Sequence, residues 1–299
     1  MSHIFEPGLF ASAPVRTALL VGAVIAITSA VVGVFTVTRG QSFAGHSLAD
    51  ISVTGGSGAF LVGLNQFWGY LAFGAGAAAF MELIGVQRRR GRDVATGVVL
   101  GGALGLAALF LYLGTQNTST TGASFTVLFG SVFVLTSSTV PFLLISAGLA
   151  LGTVLLLARV LLLSSLSPDI AAARGVPVRL VGAAYLMALA VSVALSAVVI
   201  GAVLSTALLI GPAATALRLV KGPVRAMATA AAIGVAATWA GVVLAYDSFY
   251  WPPAGHGWPV SFFVVALVVM GYLAAYLRPR GGLAEREQQP EPEHSCSPA

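Results

Sequence analysis

Charge is the scarcest property of this 299-residue sequence: only 8% of its residues are Asp, Glu, Lys or Arg, against roughly 25% in soluble globular proteins. With 58% hydrophobic residues, that shortage excludes a water-soluble fold. Cysteine is nearly missing as well. The single Cys296 sits in a polar carboxy-terminal stretch, so one chain can build neither a disulfide framework nor a multi-cysteine metal site. Any metal chemistry must use His, Asp, Glu or backbone. There is one lysine, Lys221, and no glycine-rich nucleotide loop of the Walker type. ATP, if used, is hydrolysed by another chain. Ser-His-Asp catalysis lacks support, because His3, His256 and His294 fall in a terminus, an outer loop and a tail.

What the sequence has in abundance is apolar length. Stretches of about 20 residues, the length that carries a helix across a hydrocarbon core of about 30 Å, recur from Thr17 to Leu277. They predict an all-α, polytopic transmembrane bundle with spans at 17–38, 44–64, 66–86, 94–114, 139–163, 179–200, 203–219, 224–246 and 259–277. The count is eight or nine, with ten as the upper limit. The first run is too long for a signal-peptide core of about 7 to 15 residues. An apolar piece at Phe125–Leu135 is too short to cross and reads as re-entrant or interfacial. Residues 1–278 thus form one transmembrane domain, and the Pro-, Glu- and Gln-rich 279–299 read as a disordered tail.

The formal charge of +5 does not argue for nucleic acid, because the arginines sit in short connections between apolar runs and act as topology signals. Arg88 to Arg92, Arg174 with Arg179, Arg218 with Lys221 and Arg225, and Arg278 with Arg280 place those connections and the carboxyl terminus in the cytoplasm of a cell bounded by this plasma membrane. The amino terminus falls outside. So does Asp247–Trp258, whose Phe249, Tyr250, Trp251 and Trp258 have the makings of an interfacial aromatic belt. Runs such as Gly74–Ala79 and Gly101–Gly105 let helices approach closely. Within one subunit or at a dimer face, such runs look the same.

Acids at membrane depth cost about 2.5 to 3.5 kcal/mol each on insertion scales, and only two spans contain one. His46 and Asp50 lie four residues apart in the second span, on one helix face. Counted from Arg39 at about 1.5 Å per residue they lie roughly 10 and 16 Å deep. An imidazole with a carboxylate suits zinc, manganese or ferrous iron, and a hydrogen bond that merely neutralises both groups accounts for the pair equally well. Two ligands do not complete a shell of about four; water, backbone carbonyls or a second copy of the chain must supply the rest. Glu82 in the third span reads as a carboxylate snorkelling to the basic cluster after it, ahead of the alternative of a transport role.

Two further segments stand out. Ser167 is a fair N-cap, Pro168 a favoured first helical residue, Asp169 a match for the helix dipole and Gly175 a stop, so Ser167, Pro168, Asp169, Ala173, Arg174 and Gly175 outline a short capped cytoplasmic helix. It is either a grip for a cytoplasmic motor protein or an ordinary connector. Gly211-Pro212 interrupts an apolar run and predicts either a broken helix beside a path or a packing kink.

Taken in order, Gly33-Val34-Phe35-Thr36-Val37-Thr38-Arg39, the stretch around His46, the basic loop with Asp93 and Gly97, Leu128-Phe129-Gly130, Ser167–Val176 and Val198–Ala216 resemble the membrane permeases of zinc and manganese ABC importers. The resemblance runs from Arg16 to Leu277 and implies the type II importer fold, with two permease copies and two ATPase copies. It implies an ATPase that docks on Ser167–Gly175 and an extracytoplasmic metal-binding protein that delivers cargo. The family's second span carries Asp-x-x-x-His at its metal contacts; here His46 and Asp50 stand in the reverse order. The other expectations weighed are a proton-coupled secondary transporter using Asp50, which should show an inverted repeat, and a related permease for larger metal chelates. Asp247 and His256 are outer groups, either receivers of metal or, as His256 reads first, ordinary exposed loop residues.

Overall fold

In the computed structural model of the chain, residues 12–84, 92–118, 127–130, 138–166, 168–202, 204–249, 251 and 257–278 are described. Their secondary structure is helical: α1 (Ala13–Thr38), α2 (Ser42–Leu61), α3 (Gln66–Ile84), α4 (Arg92–Thr118), α5 (Val140–Leu166), a six-residue α6 (Pro168–Ala173), α7 (Val178–Ile200), α8 (Ser205–Leu219), α9 (Pro223–Ser248) and α10 (Val260–Leu277). Each predicted span has its helix. Six of them, α1, α4, α5, α7, α9 and α10, are long and apolar enough by length and composition to cross a membrane. The rest fall short for visible reasons: α2 carries His46, Asp50 and five Ser or Thr residues, α3 carries Glu82, and α8 has only 15 residues. The tail at 279–299 lies outside the described residues, as do most of the 125–135 piece and the basic cluster expected beside Glu82.

The helices run alternately up and down, with tight turns at Arg39–Gln41, between α2 and α3 and between α8 and α9. One end of the bundle therefore gathers Arg39, Arg174, Arg179, Arg218, Lys221, Arg225 and Arg278. The other end gathers aromatic rings: Trp251 against Phe263 at 5.9 Å, Trp258 against Phe262 at 5.5 Å, and Trp68 between Phe67 and Phe142 at 5.2 and 5.5 Å. At the basic end the Arg218 guanidinium lies 4.2 Å from the Tyr276 ring centre and so ties α8 to α10.

Two helices occupy the centre. α1 packs on α5, α7, α8 and α9, and α7 packs on α1, α2, α3, α5 and α8; both are mostly buried, whereas α4 and α5 are mostly exposed. Their contact includes buried hydroxyls, because a polar atom in hydrocarbon must find a partner inside the protein. Ser29 and Ser196 hydroxyls stand 2.6 Å apart, and Ser192 donates to Ser29 at 3.2 Å. Most other hydroxyls on these helices close locally, as Thr28 does on the Val24 carbonyl and Thr36 on that of Val32.

Replacing Ser29 with alanine is expected to lower stability by about 1 kcal/mol, the usual scale for an interhelical hydrogen bond in a membrane protein. Thermal unfolding in detergent micelles measures it, and an unaltered melting curve would show that the hydroxyl contact adds nothing.

Candidate functional site

α1 ends where Gly40 takes φ 63°, with Gly40 N–H donating to Val37 and Gln41 N–H to Thr36. The chain reverses within Arg39–Gln41, and α2 starts at Ser42. A turn adds no rise. At about 1.5 Å per residue from Ser42, His46 lies about 6 Å and Asp50 about 12 Å along α2. The pair therefore sits closer to the basic end than the count from Arg39 implied.

α2 buries Leu48, Ala49, Ser52, Val53, Gly55 and Gly56 against its neighbours. On that side Gly55 and Gly69 lie so close that a Cβ on either would meet the other's carbonyl oxygen, which brings α3 hard against α2. Thr54 donates across to the Ala103 carbonyl of α4 at 2.7 Å. With this face fixed, the outer face presents His46 and Asp50 together: Nε2 lies 3.4 Å from Oδ2, His46 is 47% exposed and Asp50 13%. The imidazole is open to an incoming ligand while the carboxylate stands behind it. Among the described residues no cluster of three or more His, Cys, Asp or Glu could hold a metal. Among the described residues, this site offers a cation two side-chain donors and no closed cage.

The short helix α6 begins at Pro168 and ends through a reversed turn, with Gly175 at φ 76°, Gly175 N–H donating to Ala172 and Val176 N–H to Ala171. Those bonds are the Schellman pattern of a terminated helix. Ala173, Arg174 and Gly175 are exposed at the basic end; Ser167 and the side chains of Pro168 and Asp169 lie outside the described residues, as does His256.

Gly211-Pro212 has two readings, a broken helix or a packing kink, and the helix here is continuous. α8 runs through Pro212 without interruption, because packing holds both flanks: Gly211 lies against Val268 of α10, and Ala213 and Ala216 pack with Ala30 and Val34 of α1. The helix breaks upstream, between α7 and α8, where Gly201 adopts φ 95°. A side chain there would meet the Leu128 carbonyl and Phe129 backbone, so the position requires glycine twice over. The residues 127–130 lie in this break. The Val127 carbonyl accepts from the Tyr70 hydroxyl at 3.1 Å and from Ala202 N–H at 3.4 Å.

One cluster went unread in the sequence. At the end of α1, the Arg39 guanidinium donates to the Ser164 hydroxyl of α5 at 3.1 Å and lies 5.2 Å from the ring centre of Tyr185 on α7. The Tyr185 hydroxyl stands 2.7 Å from that of Thr36. In the sequence Arg39 stands at the edge of an apolar run and closes the Gly33–Arg39 stretch, and nothing local marks its partners Ser164 and Tyr185, more than a hundred residues away.

A family model described as the ABC 3 transport family matches residues 12–274. The chain is 29% identical over 244 residues to the "Manganese transport system membrane protein MntC" of Listeria innocua, covering 81% of this chain and 85% of that one. It is 25% identical over 238 residues to the "High-affinity zinc uptake system membrane protein ZnuB" of Haemophilus influenzae, covering 80% and 89%. The solved structure "PsaBC from Streptococcus pneumoniae in complex with Fab" contains a chain that superposes with a TM-score of 0.73 at 22% identity, covering 94% of this chain and 97% of that one; this is a likeness of fold.

Because His46 and Asp50 face outward from packing carried by the opposite side of α2, His46→Ala and Asp50→Asn should each move folding stability by no more than about 1 kcal/mol. Thermal unfolding of the purified chain tests this. A loss of several times that size would make the pair a structural tie.

Proposed function

The chain belongs to the ABC 3 transport family, and on that premise we propose that it is the membrane permease subunit of an ATP-driven importer of a divalent transition metal, manganese or zinc. The observation that carries the proposal is the outward pairing of His46 and Asp50, 3.4 Å apart on a helix otherwise committed to packing. A nitrogen and an oxygen donor side by side suit these metals. The incomplete shell suits cargo: a site in transit must hold an ion well enough to accept it and loosely enough to release it. Water, backbone carbonyls or a second copy of the chain complete the coordination, and a twofold dimer places two such pairs near a shared path.

The names of the relatives support the cargo, since one is called a manganese and the other a zinc transport protein. Orientation rests on the basic end, which the excess of Arg and Lys assigns to the cytoplasm of a cell whose plasma membrane the chain crosses. That end also carries α6, which offers a protruding element for a cytoplasmic ATPase to grip. An extracytoplasmic metal-binding protein would deliver the ion at the aromatic end, and ATP would be hydrolysed on the ATPase.

In proteoliposomes holding the chain with its ATPase, uptake of radioactive manganese or zinc is expected to fall about 10- to 100-fold in His46→Ala and in Asp50→Ala, the scale on which loss of a metal-site contact acts. The complex should remain assembled. Unchanged uptake in both would reduce the pair to a hydrogen bond, and uptake without any ATPase would replace ATP-driven import by secondary transport.

A further inference from the structure

The Arg39 guanidinium is more than half buried, and among the described residues it has no carboxylate partner. Burial pulls its pKa below the usual arginine value, yet an arginine retains its proton throughout the physiological range. A charge placed so needs a reason, because an uncompensated buried charge is costly. Part of its compensation is the face of Tyr185, itself wholly buried, and part is a single hydrogen bond to Ser164. The Nε–H is buried and, among the described residues, has no acceptor.

The position of these partners gives the reason. Ser164 lies at the end of α5, a few residues before α6 begins at Pro168. Arg39 caps α1, and after only Gly40 and Gln41 the chain becomes α2, which carries His46 and Asp50. Tyr185 belongs to the central helix α7, which follows α6 directly. Arg39 is therefore the side chain at which both covalent flanks of α6 meet the root of the helix bearing the pair. Its two contacts differ in kind. The hydrogen bond to Ser164 is directional and transmits displacement, whereas the ring face accepts the planar guanidinium at many offsets. The unpartnered Nε–H leaves a donor ready for a second arrangement.

We propose that Arg39 is a positioning residue for transport: through Ser164 and Tyr185 it transmits movement of α6 to the root of α2 and so sets the placement of His46 and Asp50. This rests on the permease reading, in which α6 is the element a partner ATPase moves.

The test uses the full complex of chain and ATPase in proteoliposomes, in a Cys296→Ser background. A single environment-sensitive fluorophore is placed at Phe43→Cys on α2 or at Ala172→Cys on α6, both exposed positions, and its signal is read on adding a non-hydrolysable ATP analogue. In the otherwise unaltered protein both labels should respond. In Arg39→Gln the α6 label should respond as before while the α2 response is lost. ATP hydrolysed per manganese ion imported should then rise about tenfold, within the range of measured coupling between sites. Arg39→Lys, which keeps the charge and a donor but loses the planar face, should restore part of both. An α2 response that survives in Arg39→Gln overturns the proposal, as does a parallel loss of both responses with a lowered melting temperature. If both labels respond in the unaltered protein and the α2 response alone is lost in Arg39→Gln, but neither manganese nor zinc enters, the metal reading fails and the role of Arg39 stands. If neither label responds in the unaltered protein, both fail.

Discussion

A hydrocarbon slab solvates neither a charge nor a free peptide group, so every polar atom placed in it must be answered by another atom of the protein. That constraint sorts the side chains of this molecule. Most hydroxyls fold back onto the carbonyl one turn earlier, as Ser47 does on Phe43, Ser52 on Leu48 and Ser57 on Val53. A smaller set reaches another helix or segment, and those bonds fix the architecture: Ser29 with Ser196, Thr54 with Ala103, Tyr70 with Val127. Among the described residues, the pair on α2 is left with its polarity turned outward. The site is legible as a site because the same rule has been satisfied almost everywhere else.

The same rule explains how much could be read from residues alone. Length and hydropathy marked every long helix, since crossing a membrane demands an apolar run that a sequence cannot hide. Boundaries slipped because polar residues extend helices beyond the apolar core: α1 begins at Ala13, before Thr17, on a turn capped by the Ser12 hydroxyl, and α4 runs on through Gln116 to Thr118. The break between α7 and α8 was anticipated as a gap between two spans. Proline has a strong local effect, but here the helix continues through Pro212 with neighbours packed on two sides. The residue that does end a helix, Gly201, looks in sequence like any other glycine among many; only the carbonyl of Leu128, brought in from a distant segment, singles it out.

The candidate site divides along similar lines. His46 and Asp50 could be found because rarity within an apolar run is visible in one dimension, and a spacing of four places both on one face. The Arg39, Ser164, Tyr185 and Thr36 cluster could not, because its members are ordinary residues at helix ends joined only by packing. Depth was misjudged for a related reason. Counting from Arg39 assumed uninterrupted helix, whereas a tight reversal at Gly40 uses residues without advancing.

The bond between Ser29 and Ser196 joins residues 167 positions apart, and that separation has a temporal meaning. α1 is made well before the helices that enclose it on this side, α7, α8 and α9, which come much later in the chain. At a synthesis rate of about 5 to 20 residues per second, Ser29 waits about 10 to 30 seconds for its partner. During that interval Thr28 and Thr36 are already satisfied by their own helix. Ser29 is the hydroxyl that a nascent α1 carries into the bilayer on account, to be settled only when the carboxy-terminal half arrives.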